Sequence, residues 1–154
     1  MKVYIASSWK NRGGVRELAE HIRAMGFECD DFTDDSRGRF VFSWTEITEN
    51  ELKLTAKKLL EDERAQKAFK EDVSMIDWAD VLILLLPSGK SSHMELGYAA
   101  GKGKEIIIFA PLGFEPGEWE VMYGFAHAMT DSLHDLIGYL ADIWERKNVA
   151  ELEV

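Results

Sequence analysis

The sequence predicts an open parallel α/β sheet with helices on both faces, and three observations carry that expectation. Short apolar, β-rich runs alternate with segments of helical period along the whole chain. Two of the runs, DVLILLLP at 80–87 and EIIIFAP at 105–111, are apolar throughout rather than alternating, as strands covered on both faces are. The first run, KVYIAS at 2–7, leads through a polar loop into an amphipathic helix, the unit from which parallel sheets are wound.

In chain order, KVYIAS is the first strand and SWKNRGG a loop. A helix follows, with Val15, Leu18, Ala19, Ile22 and Met25 on one face, ended by Gly26. FECDDF is a weaker second strand, and DDSRGRFVFSWTEITEN an irregular excursion with aromatics, of a length that in compact domains tends to serve function. From about Asn50 to Ala79 the chain is charged and helix-favouring, with Ala65, Phe69, Val73 and Ile76 marking an apolar face. DVLILLLP is a buried strand, SSHMELGYAAGKG a helix of small residues, and EIIIFAP another buried strand. EWEVMYGFAHAMT holds one more helix and a short edge strand. SLHDLIGYLADIWERK closes the chain as a helix, with Leu133, Leu136, Ile137, Leu140 and Trp144 as its stripe. This is the pattern of one Rossmann- or flavodoxin-like domain over 1–154, with a sheet of about five strands. Ligands in such sheets bind at the carboxyl ends of the strands, which selects the loops after Ser7, Phe32 and Pro87.

With 18 basic against 28 acidic residues and a formal charge of -10, the chain repels phosphate backbones at long range, which argues against a nucleic-acid polymer as partner. A small phosphorylated ligand remains compatible. Cys29 is the only cysteine, so neither an internal disulfide nor a Cys-rich zinc site is open to the chain, and a reducing cytoplasm is the expected compartment. MKVYIASSWK lacks the apolar core of a secretory signal, and no stretch reaches the roughly 18 apolar residues of a membrane span. The four histidines show no HxH or HExxH spacing, so no metal is expected.

Two carboxylates stand out. Asp72 lies three residues after Phe69 and four before Ile76, on the apolar face of its helix; it is either a boundary residue snorkelling from the stripe or an acid kept for use. Glu95 falls in or near the first turn of the helix after DVLILLLP. It is either a partner for the helix dipole or an anionic nucleophile. Two carboxylates of different environment beside one cleft are the usual equipment for breaking a glycosidic bond. Tyr4 is an ordinary strand tyrosine or a phenol reaching that cleft. Ser7, Ser8, Asn11, Arg12, Gly13 and Gly14 form either a flexible loop or an anion site at a helix start. Phe40, Phe42 and Trp44, with Arg39, are either a stacking platform for a planar base or a small satellite core.

Taken together, YIASSW, Asp72 eight residues ahead of Asp80 in EDVSMIDWADV, and HMELGYAAGKGKEIIIF resemble the nucleoside 2-deoxyribosyltransferase family, including its branch of nucleoside 5′-monophosphate N-glycosidases. The resemblance implies a double displacement without a cofactor: Glu95 attacks the anomeric carbon, Asp72 protonates the departing base, and Tyr4 positions Glu95. A second base or water then resolves the glycosyl-enzyme. It also implies substrate contacts from Ser7, Ser8, Arg12 and Gly13 in the first loop, from Trp44, from Ser88, Gly89 and Ser92, and from His127 in the late loop. A homodimer or larger assembly is expected to complete the sites. Where transferases of the family carry an acid six residues before the glutamate, this chain has Gly89, and GFAHAMT lacks their asparagine. The serines of PSGKSS and the loop with Arg12 look more like the phosphate-binding hydrolases. The reading from a different class is a nucleotide-binding sensor on the same fold, without turnover. An acidic interaction module is the weakest of the three.

Overall fold

A computed structural model of the chain describes residues 1–34, 38–40, 42 and 55–152. Its centre is a five-stranded, all-parallel sheet. The strands are β1 (Lys2–Ala6), β2 (Glu28–Asp30), β3 (Val81–Leu85), β4 (Glu105–Phe109) and β5 (Ala128–Thr130), in the order β2-β1-β3-β4-β5. Among the described residues, five α-helices connect and cover them: α1 (Arg12–Ala24), α2 (Ala56–Glu61), α3 (Glu63–Trp78), α4 (Lys90–Gly101) and α5 (Leu133–Leu152). Registers such as Val3↔Val81 and Ile83↔Ile107 run β1, β3 and β4 side by side through the middle.

Alternation hidden inside the apolar runs sorts the core into two layers. Val3, Ile5, Val81, Ile83, Leu85, Ile107 and Phe109 meet α1 and α5 on one face. Tyr4, Leu82, Leu84, Ile106 and Ile108 meet Ile76 of α3 and Leu96 and Ala99 of α4 on the other. Both layers are apolar because helices exclude water from both, so β3 and β4 show no polar alternation in sequence.

The helical stripe of α1 is where its spacing predicts, with Val15, Leu18, Ala19 and Ile22 all buried. Two other stripes are corrected. In α5 the core takes Leu136, Leu140 and Ile143, while Ile137 and Trp144 are exposed. In α3 only Ile76 is buried and Phe69 stands in solvent, so Asp72 does not share a buried stripe with Phe69. The long charged stretch is also two helices, because Asp62 breaks away in extended conformation and caps α3, accepting from the backbone N–H groups of Arg64 and Ala65. The late segment forms a 3₁₀ turn at Val121–Phe125 before β5. Among the described residues, no helix is long and apolar enough to cross a membrane.

The strand order reverses between β1 and β3, so the loops after these two strands part at their carboxyl ends and leave a crevice. They are stitched across it. Ser7 Oγ donates to the Leu85 carbonyl at 2.8 Å, and Asn11 Nδ2 reaches Ser7 Oγ at 3.2 Å and the Pro87 carbonyl at 3.4 Å. Gly14 makes room for this, since a Cβ there would sit 2.8 Å from Asn11 Oδ1.

Candidate active site

Tyr4 lies on the buried face of β1 that α4 covers, and its hydroxyl donates to Glu95 Oε2 at 3.2 Å. Burial, with the charges of Glu95 and Asp72, holds the phenol well above its ordinary range, so it stays neutral and donates. Ser91, one turn before Glu95, donates to the other carboxylate oxygen, Oε1, at 3.3 Å. The spacing of four residues puts the two side chains on one face of α4.

Glu95 is the sixth residue of α4, which begins at Lys90; it is not in the first turn. That corrects the sequence expectation of a carboxylate kept ionised by the helix dipole, whose effect fades beyond the first turn. Burial wins instead. It raises the Glu95 carboxyl to about 7, helped by the nearby Asp72 charge and opposed by the hydrogen bonds from Tyr4 and Ser91 and by Arg39. At neutral pH Glu95 is divided between acid and anion.

Asp72, on α3, is likewise raised by burial, against the pull of Arg39. Arg39 Nη2 donates to Asp72 Oδ1 at 2.7 Å. On its other side Arg39 Nε lies 3.3 Å from Asp30 Oδ1, and Nη1 lies 3.7 Å from Glu71 Oε2. Asp30 ends β2 and is buried, and burial lifts its carboxyl to about 6 despite Arg39. Four carboxylates therefore surround one guanidinium and one phenol, at the ends of β1 and β2 and along α3 and α4. The sequence showed Asp72, Glu95 and Tyr4. Asp30 has no motif that marks it in one dimension, Ser91 was legible only as one of the serines of PSGKSS, and Arg39 only as a neighbour of aromatics.

The serines divide. Ser92 is buried and donates to the Gly89 carbonyl at 2.8 Å, closing the first turn of α4. Ser88 Oγ is buried with no hydrogen-bond partner among the described residues. The residue lines a cleft of about 540 Å³ together with Gly89, His93, Met94 and Tyr123. A cleft of the same size runs along β2 past Asp30, Arg39 and Glu71; Glu95 and Tyr4 line neither. Gly89 is the exposed residue before α4, with no atom within 4 Å of where a Cβ would stand.

Of the first loop, Ser7 serves the stitch described above, and Ser8 accepts from the Lys10 backbone N–H at the start of the 3₁₀ turn. Arg12 and Gly13 open α1 at the surface. Trp44 lies outside the described residues. Phe40 and Phe42 stack on each other at 6.4 Å, Lys67 caps the Phe40 ring at 4.3 Å, and the Phe40 N–H donates to Glu71, so this pair packs against α3. His127 lies away from these loops. It accepts from the Ile106 N–H at 3.0 Å, at the amino-terminal end of β4, so its own chain holds it at the edge of the sheet opposite to the carboxyl ends.

With a parallel 2-1-3-4-5 sheet and a glutamate under a strand tyrosine at its switch point, comparison with solved structures becomes informative. A 2-deoxyribosyltransferase from Bacillus psychrosaccharolyticus matches with a TM-score of 0.63 at 21% identity, over 88% of this chain and 90% of that one. The chain has the fold of that 2-deoxyribosyltransferase. The Clostridium botulinum CMP N-glycosidase BcmB also matches, with a TM-score of 0.55 at 16% identity, over 94% of this chain and 99% of that one. No protein-family model matches the sequence, and neither does any curated protein. The 2-deoxyribosyltransferase fold is thus present nearly end to end, and the two matches represent both branches of the family that the sequence resembles.

Proposed function

We propose that this protein is an enzyme that cleaves the N-glycosidic bond of a nucleoside or nucleoside 5′-monophosphate through Glu95. One observation carries the reading: the Tyr4–Glu95 hydrogen bond at the switch point, with Asp72 near enough for its charge to raise the Glu95 carboxyl. The likeness in fold to a 2-deoxyribosyltransferase and a CMP N-glycosidase supports it.

In the reaction the ionised Glu95 forms a bond to the anomeric carbon as the carbon–nitrogen bond breaks. The electron pair stays on the base nitrogen, which takes a proton from Asp72. Tyr4 and Ser91 hold one Glu95 oxygen each, which fixes the plane of the carboxylate before attack. The glycosyl ester is then opened by water or by a second base. A wet pocket favours the hydrolase and a dry one the transferase.

Two features favour a 5′-monophosphate: the unpartnered Ser88 hydroxyl at the head of α4, and Gly89, which leaves that position without a carboxylate to repel phosphate. We further propose a homodimer or larger assembly, since Met94, Met122 and Phe125, which line the Ser88 cleft, are exposed together.

The test is a panel of ribo- and deoxyribonucleosides and their 5′-monophosphates, with and without an acceptor base, followed by chromatography of free base. Release from monophosphates alone, lost in Glu95→Ala, identifies the hydrolase, and exchange that needs an acceptor identifies the transferase. Binding without release on every substrate refutes both and leaves the nucleotide sensor.

A further inference from the structure

Building on the glycosidase reading, we propose that Arg39 is a positioning residue: anchored by Asp30, it grips Asp72 by one oxygen so that the other delivers the proton to the departing base. The two sides of Asp72 differ. Oδ1 takes the 2.7 Å bond from Arg39, whereas Oδ2 has no partner among the described residues. The Arg39 side chain is 6% exposed and that of Asp72 39%, so the pair is closed at the arginine and open at the acid.

A guanidinium has donors only. An oxygen facing one accepts its N–H and has no use for a proton of its own, so the proton of a neutral Asp72 resides on Oδ2. When the glycosidic bond breaks, that proton passes to the base nitrogen, and the negative charge left on Asp72 meets Arg39 across Oδ1. Arg39 thereby fixes the direction of transfer and stabilises the carboxylate that transfer creates.

The surroundings are built for this grip rather than for stability alone. Burying one arginine among Asp30, Glu71 and Asp72 seldom gains more than an apolar cluster of the same volume. Glu71 also accepts from the Phe40 N–H at 2.9 Å, which ties the segment carrying Arg39 to the helix carrying Asp72. Among the described residues, Tyr4 and Glu95 are the other ionisable groups near the pair.

Two measurements test the proposal, one of which needs no substrate. In the first, the Asp72 carboxyl is titrated by carbon NMR in wild type, Arg39→Met and Arg39→Lys. Its midpoint is expected to move up in Arg39→Met and by less in Arg39→Lys, and an unmoved midpoint overturns the grip. In the second, the sugar that wild type accepts is given bases of increasing leaving ability, up to bases that depart without protonation. Arg39→Met is expected to slow the poorest leaving groups by about 10²-fold, the scale of general acid catalysis, and the best by less than a tenth of that. An equal loss across the series shows that Arg39 is only structural. If wild type releases no base from any member, the glycosidase reading fails while the NMR result still decides the grip. Should Arg39→Met not fold, Arg39→Lys carries both comparisons, with smaller shifts in the same direction expected.

Discussion

Glu95 is held at a cost, and replacing it should stabilise the protein while ending its activity. Folding lifts this carboxyl from 4.5 to about 7. The sign follows from proton binding: between those values the folded state holds a proton that the unfolded chain has lost, so stability falls as pH rises through the interval. At about 1.4 kcal/mol per pH unit, the cost reaches ~3 kcal/mol above the upper value and is under about 1 kcal/mol at pH 5. Glu95→Gln has the same shape, keeps an oxygen to accept from Tyr4, and bears no charge to desolvate. Thermal unfolding followed by circular dichroism should show the variant melting roughly 6–12 °C above wild type at pH 8. At pH 5 the two should differ by no more than about 4 °C, and base release should fall to background at both. A variant no more stable at pH 8 than wild type, or one equally stabilised at both pH values, would refute the claim that burying an ionised Glu95 is what costs the fold its stability here.

The remaining predictions concern the groups around it. Base release should climb with pH through about 7 as Glu95 ionises, and Tyr4→Phe, which removes the 3.2 Å bond, should push that acid limb up by about one pH unit; an unmoved limb in the kcat/KM profile would separate Tyr4 from Glu95. Gly89→Asp should fit, since nothing stands within 4 Å of the new Cβ, and should stabilise α4 by only a few tenths of a kcal/mol as an N-cap, because glycine already serves there. The same variant should lower the preference for monophosphates over nucleosides about tenfold through repulsion at roughly 4–6 Å, and an unchanged ratio would place the phosphate elsewhere. Light scattering on wild type should give at least twice the 17.5 kDa chain mass, and Met122→Glu should reduce it; a fully active monomer at assay concentration would remove the assembly from the mechanism.

Strands and most helices were legible in the chain because their signals are local. A continuous apolar run such as DVLILLLP has few places to go except between two layers of helices, and the stripe of α1 follows from a period of 3.6 residues. Local period misjudged α3 and the end of α5, where Phe69 and Trp144 sit at stripe positions yet remain exposed, because burial depends on whether an opposite surface exists. The place of His127 in the fold was hidden for a related reason. Its distance in sequence from the cleft residues says nothing about which edge of the sheet it meets, and the start of β4 claims it.

What the sequence determined by itself was the class of sheet, its carboxyl-end loops, and the three residues Tyr4, Asp72 and Glu95, whose order and spacing carry a family likeness. What only the tertiary structure decided was their state. Whether Glu95 is an anion at neutral pH turns on how deeply α4 and β1 enclose it and on the Asp72 charge from another helix. Which oxygen of Asp72 is open turns on an arginine 33 positions earlier, anchored to the end of β2. Desolvation and charge act through space over a few ångströms, and no spacing along the chain encodes that distance until the strands have paired.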